Sequence, residues 1–267
     1  MIAVVAGTGN LPIEACKSLN KKQKEFFVLS LFPQDNLESL QKVVDHPDQI
    51  ISEKFYKAGA ILETLKQKNT KQVLLIGKVD KRNILKKVKF DWFALKLLAK
   101  LLCKHDKAIL EKIVDILQEN GMEVLKQSDV LDTLFVPPGV LCGKVTDYIK
   151  TNLEFGMNVA DKISESDIGQ TVVMKDSMIM AVEAIEGTDS CIKRGIELGK
   201  ENVVICKSAC QTQNKKYDLP TLGTNSLENI KKGEVAAIAW KSSKTFIADK
   251  DEFISHAKKL GITLISV

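Results

Sequence analysis

Ile2-Ala3-Val4-Val5-Ala6-Gly7-Thr8-Gly9-Asn10-Leu11-Pro12 is the stretch that decides the fold class. A short, β-branched apolar run that ends at glycine predicts a buried strand. Pro12 then predicts a helix over 12–20, since proline lacks an N–H that the first helical turn leaves unused anyway. The same exchange repeats down the chain. A second apolar run predicts a strand over 26–31, helical spacing covers 58–68, and a third strand over 72–76 stops at Gly77. Helical stretches follow over 92–103 and 106–120, with Gly121 placed as a C-cap. Strands alternating with helices imply a parallel sheet wrapped by helices, so an α/β domain is expected over 1–132.

After 122–125 the pattern changes. Pro137-Pro138-Gly139 interrupts it, and 133–147 reads as a linker. A helix over 148–162 opens a second domain, 148–267. Runs over 171–175 and 178–184, separated by Asp176-Ser177, predict a hairpin. Further strands are expected over 203–206, 235–240, 245–247 and 263–267, and helices over 190–198, 226–232 and 251–260. The second domain is therefore mixed α/β with some antiparallel pairing.

Composition narrows the function. The 267 residues are 45% hydrophobic and 27% charged, a globular balance. The +5 charge comes from 39 Lys+Arg against 34 Asp+Glu, which suits an anionic ligand or membrane face and falls short of a nucleic-acid signature. The six cysteines have no framework spacing, which predicts reduced thiols in a cytoplasm. Cys206 and Cys210 lack companions for a zinc site. The chain starts directly on an apolar strand without a basic leader, and no segment reaches the ~20 apolar residues that span a bilayer. A soluble, cytoplasmic protein is expected, which would meet a membrane only from its surface.

Several segments bear groups suited to phosphate. Glycines at Gly7 and Gly9, ahead of a helix N-terminus, let backbone N–H groups approach an anion, although a plain tight turn reads the same way. The third glycine of the dinucleotide fingerprint is missing and Ser30-Leu31-Phe32 has no carboxylate, so a nicotinamide site is disfavoured. Lys78, after the third strand, is placed to steady a phosphate or to be a solvated turn residue. The stretch 90–102 carries apolar residues with lysines four apart, which fits a core-packing helix or an acyl-chain surface. Acids gather in the second half: Asp167, Glu183, Glu186, Asp189 and Asp218. Two or three of them converging would suit Mg²⁺-assisted phosphoryl chemistry. Asp189 also reads as a helix cap, whereas Asp218 has no helix to cap. His46, His105 and His256 sit in no nucleophile-and-base arrangement, and hydrolase elbow and HExxH signatures are absent.

Gly7-x-Gly9-x-Leu11-Pro12, Gly77-Lys78-Val79, Asp167-Ile168-Gly169-Gln170, Glu183-Ala184-Ile185-Glu186-Gly187-Thr188-Asp189 and Asp218-Leu219-Pro220-Thr221-x-Gly223 occur in order along the chain. Together they resemble the LpxI family, the UDP-2,3-diacylglucosamine pyrophosphatases of lipid A biosynthesis. The resemblance implies a Rossmann-like N-terminal domain, a linker and a distinct C-terminal domain. It also implies a Mg²⁺-dependent hydrolase that splits the diphosphate of UDP-2,3-diacylglucosamine into UMP and 2,3-diacylglucosamine 1-phosphate. Asp218 matches the aspartate the family requires. It would bind the metal or orient water, supported by Glu183, Asp189 or Glu186, with Asp218 and Asp189 as the expected Mg²⁺ ligands. Substrate contacts are expected from Gly7, Thr8, Gly9, Leu11, Gly77, Lys78, Gln170, Glu186, Gly187, Thr188, Lys207, Gln213, Lys216, Thr221 and Gly223. The expected partner is the lipidic UDP-sugar; peripheral contact with the inner membrane and a homodimer are left open, and nucleic acid is not expected.

The chain departs from the family upstream of Asp218. Members tend to read Lys-Pro-x-Gln-(Asp/Glu)-x-Arg, whereas this chain reads Cys210-Gln211-Thr212-Gln213-Asn214-Lys215-Lys216. Lys216 keeps charge without bidentate phosphate recognition, and Asn214 removes an acid. These changes motivate a rival reading, a lipid-nucleotide binding protein without turnover.

Overall fold

The computed structural model describes residues 1–79, 91, 106–209 and 219–267. The described residues fall into two compact units, one within 1–132 and the other comprising 133–209 and 219–267. The expected helix over 92–103 lies outside the described residues, as do Gln213, Lys216 and Asp218.

In the first unit the strands are β1 (Ile2–Ala6), β2 (Phe26–Ser30), β3 (Ile50–Ser52), β4 (Gln72–Ile76) and β5 (Glu123–Val124). They pair in the order β3-β2-β1-β4-β5, all parallel, with Ile2 opposite both Phe26 and Gln72. This is a doubly wound sheet of the expected Rossmann-like type. β1 and β2 are buried along their whole length, because helices cover both faces of a parallel sheet. The helices are α1 (Leu11–Lys21), α2 (Pro33–Gln41), α3 (Ala58–Gln67), α4 (Asp106–Glu119) and the short α5 (Gln127–Val130). Ala3, Val5, Phe27, Leu29 and Val73 project to one face and pack with Leu65 of α3 and Val114 and Leu117 of α4. Helix α2 and strand β3 had no sequence forecast. Only Asn36 and Leu40 of α2 are buried, so its apolar stripe is too thin to show a period.

The second unit contains β6 (Gly139–Cys142), α6 (Asp147–Glu165), β7 (Thr171–Lys175), β8 (Met178–Val182), α7 (Thr188–Gly199) and β9 (Val203–Lys207). It continues with β10 (Thr221–Leu222), β11 (Val235–Trp240), β12 (Phe246–Ile247), α8 (Lys250–Leu260) and β13 (Thr263–Ser266). Six strands pair in the order β6-β13-β11-β9-β7-β8, and β10 and β12 form a separate parallel pair. β13, β11 and β9 are parallel, while β6 and β7 run against their neighbours and β8 against β7. Period-two alternation sorts the side chains. Val172, Met174, Val204, Cys206, Ala237 and Ala239 meet Met157 and Ala160 of α6. Val173, Val203, Ile205, Ile238 and Trp240 face the opposite way, with Ile192 of α7 and Phe253 of α8.

The hairpin turns at Asp176-Ser177 with φ of 48° and 61°, the left-handed pair that a type I′ turn requires. Two forecasts differ from the structure. The stretch 133–147, read as a linker, supplies edge strand β6, whose Cys142 lies opposite Leu264 of β13. Its proline pair hid a short strand, since proline is tolerated next to an edge. In place of a helix over 226–232 there is a 3₁₀ turn, Thr224–Leu227.

Candidate functional site

Each unit gathers forecast residues at the carboxyl edge of its own sheet. In the first unit the loops after β1 and β4 run alongside each other. Gly7 N donates to Ile76 O at 2.8 Å, and Thr8 and Lys78 exchange backbone bonds of 2.8 and 2.9 Å. A Cβ on Gly7 would stand 2.5 Å from Lys78 O, and one on Gly77 would stand 2.9 Å from both Gly7 C and Thr8 O. Gly77 also holds φ +98°, so only glycine lets these backbones meet. From α2, Asn36 donates to Gly7 O at 2.7 Å and accepts from Ser30 Oγ at 2.6 Å. The Ser30 position, where a dinucleotide site would present an acid, is thus occupied by a buried structural bond. Gly9, Lys78 and the start of α1 at Leu11 complete this edge, with Gly9 and Lys78 exposed and Thr8 and Leu11 partly buried.

In the second unit β8, β9 and β11 all end at one edge, where β7 begins. Lys207, the last residue of β9, lies opposite Thr171 of β7 and is only 3% exposed. Its Nζ donates to Thr188 Oγ1 at 2.8 Å and Thr171 Oγ1 at 3.3 Å. Thr188 Oγ1 donates in turn to Glu183 Oε1 at 3.0 Å, and the Gln170 N–H donates to Glu183 Oε2 at 3.3 Å. A buried ammonium must be paired or solvated by polar groups, and this chain of hydroxyls leading to a carboxylate satisfies that need. Gly187 is the N-cap of α7, so Thr188 and Asp189 open its first turn beside that chain. A Cβ on Gly169 would stand 2.1 Å from Glu183 O, so glycine is required where the two motif loops touch.

Four forecast residues therefore come together: Gln170, Glu183, Thr188 and Lys207. Glu186 turns aside. Its carboxylate accepts from Arg194 at 2.6 Å, and that guanidinium holds the carboxyl below the usual range. Asp189 is exposed. Thr221 and Gly223 belong to the β10–β12 ladder and its exit rather than to the Lys207 group. Arg194 was missed, although it is one of only two arginines in the sequence and so stood out from a lysine background. The Asp161, Ser208 and Lys241 group was missed as well. Ser208 Oγ donates to Asp161 Oδ1, and Lys241 Nζ donates to Asp161 Oδ2 at 2.8 Å. Burial pushes the Asp161 carboxyl up, but the bonds from Lys241 and Ser208 and the charges of Lys241 and Lys244 outweigh it and hold the group low.

Burial pushes the Cys16, Cys191 and Cys206 thiols up to about 12, so none of them is a thiolate nucleophile at neutral pH. Among the described residues no group of three or more His, Cys, Asp or Glu is set to hold a metal ion. Mg²⁺ needs only one or two carboxylates beside phosphate and water oxygens. Glu183 and Glu186 are engaged internally, while Asp167 and Asp189 are exposed.

No helix among the described residues is long and apolar enough to cross a membrane. Residues 1–134 match the LpxI N-terminal domain and residues 137–265 the LpxI C-terminal domain. The chain is 26% identical, over 281 aligned positions, to a Caulobacter vibrioides protein named UDP-2,3-diacylglucosamine pyrophosphatase LpxI, covering 100% of this chain and 97% of that protein. With both domain matches in order and nearly end to end, the chain belongs to the LpxI family.

Proposed function

We infer that this chain hydrolyses the diphosphate of UDP-2,3-diacylglucosamine, releasing UMP and 2,3-diacylglucosamine 1-phosphate for lipid A synthesis. Family membership and the name of the Caulobacter relative support the substrate. The observation that carries the chemistry is the chain from buried Lys207 through Thr188 to Glu183 at the start of α7. It fixes a positive ammonium and a helix N-terminus at one sheet edge, a setting that lowers the energy of charge developing on phosphoryl oxygens. Lys207 acts from inside, holding Thr188 in place, while exposed Lys78 in the other unit offers direct contact to an anion. Asp218, with Asp189, would hold Mg²⁺, which supplies Lewis-acid polarisation of the diphosphate when bound. Glu183 keeps the Thr188 hydroxyl oriented. The setting is the cytoplasm, with the lipid substrate reached at the membrane surface.

The test is UMP release from UDP-2,3-diacylglucosamine with Mg²⁺. Wild type should turn over, chelation should stop it, and Asp218→Ala should lower kcat by about 100-fold or more. Equal rates for the two proteins sink the role of Asp218. Asn214 and Lys216 favour a second reading, lipid-nucleotide binding without hydrolysis. Lipid that co-purifies, identified by mass spectrometry, together with no UMP release would select it.

A further inference from the structure

Lys207 and Ser208 are consecutive, yet they are tied to opposite layers. Lys207 reaches Thr188 at the start of α7, whereas Ser208 reaches Asp161 on α6. Asp161 also accepts from Lys241, the residue that follows β11, and the Lys241 backbone N–H donates to Lys207 O at 3.1 Å. The Ser208 N–H donates to Gln170 O at 2.8 Å, which ties the same junction to the loop that holds Glu183. The bonds close a ring: Asp161 to Lys241, Lys241 to Lys207, and Lys207 through the chain to Ser208 and back to Asp161. One carboxylate thereby clamps the carboxyl ends of β9 and β11 from the α6 side.

We propose that Asp161 and Lys241 are positioning residues, which set the Lys207 ammonium and the exit of β9 for the phosphate chemistry inferred above. Neither belongs to a motif that distinguishes the chain, and they stand 80 residues apart. Neither touches the Thr188–Glu183 group; they act through Ser208 and the Lys207 backbone. The proposal rests on the inferred hydrolysis. A tie of this kind has an ordinary structural alternative, and the exposure of the pair separates the two. The Asp161 and Lys241 side chains are 37% and 35% exposed, and ion pairs this open add little to stability. A purely structural tie predicts a small loss of Tm and no selective loss of turnover, while a positioning role predicts the reverse emphasis.

The experiment measures kcat, KM and Tm for wild type, Asp161→Asn, Lys241→Met, Lys241→Arg and Ser208→Ala, with UDP-2,3-diacylglucosamine and Mg²⁺. The expected result is a kcat lower by about 10- to 100-fold in Asp161→Asn and Lys241→Met, the scale seen when outer supports of a reactive group are removed. KM should stay within about twofold, Tm within about 4 °C of wild type, and Lys241→Arg should recover most of kcat. The Asp161→Asn and Lys241→Met losses should also fail to add in the double variant, since they break one clamp. A kcat equal to wild type in Asp161→Asn, or a loss that merely follows Tm and is not rescued by arginine, overturns the proposal. Ser208→Ala, which keeps the ion pair and removes only the hydroxyl, covers the case in which Asp161→Asn does not fold: unchanged turnover there also overturns it. A wild-type protein that releases no UMP overturns the functional reading itself and the role of the pair with it, so the two failures are distinguishable.

Discussion

The two sheet edges solve the same problem by opposite means. In the first unit, the loops after β1 and β4 meet backbone to backbone because Gly7 and Gly77 have no side chains to intervene. In the second unit, the edge is built from side chains: a buried ammonium that donates to two threonine hydroxyls, one of which passes on to a carboxylate. The first arrangement commits the Gly7, Thr8 and Lys78 N–H groups to neighbouring carbonyls and leaves Gly9 and the Lys78 side chain exposed, and the second stores charge inside the fold. On the proposed function, exposed Lys78 at the first edge would contact the anion, and buried Lys207 at the second would act through Thr188.

Lys207→Met tests that division most sharply. It keeps the buried volume and removes the charge, and should lower kcat for UMP release by about 100-fold, equivalent to ~2.7 kcal/mol. Gly7→Ala tests the other edge. A Cβ there meets a carbonyl oxygen at 2.5 Å, so unfolding midpoints in denaturant should report a loss of about 2 kcal/mol. If the alanine is tolerated, the steric account of that edge is wrong. Lys78→Met should cost about tenfold, ~1.4 kcal/mol, appearing in KM with kcat kept, because an exposed ammonium contributes binding rather than activation. A kcat effect instead would erase the contrast between the edges.

The smallest effect is acid stability. The Asp161 carboxyl is held low in the folded chain, facing Lys241, Lys244 and the Ser208 hydroxyl. Its contribution is therefore present above the unfolded value of about 4, and is lost as pH falls through the folded one. Stability of wild type relative to Asp161→Asn should stay level from pH 5 to 8 and narrow below about pH 4, by less than ~1 kcal/mol for so exposed a pair. Denaturant titrations across that range check it.

Legibility followed the physics of each feature. β1 and β2 were readable because fully buried strands are continuous apolar runs, β4 because its run 73–76 is apolar and mostly buried, and the Asp176-Ser177 hairpin because a turn residue pair splits two apolar runs. β6 was not, since Pro137 and Pro138 mask three apolar residues whose pairing partner lies at the far end of the chain. Among site residues, Glu183 and Thr188 share one motif, and their bond spans five positions. Asp161 and Lys241 are joined only by the packing of α6 on the sheet, and a bond across 80 positions leaves no trace in local spacing. Lys207 was forecast as a phosphate contact, but its burial depends on Thr171 and on α7, which sequence order does not bring near.

The buried thiols have a practical consequence. Cys16 lies in α1 of the first unit, while Cys142, Cys191 and Cys206 lie in the second, all of them buried. A thiol reagent reacts with such groups only when the surrounding structure opens, so labelling rates become clocks for local unfolding. With Cys103 and Cys210 replaced by serine, Cys16 alone would time the opening of the first unit and the other three that of the second. The chain thus carries reporters for both units among its native cysteines.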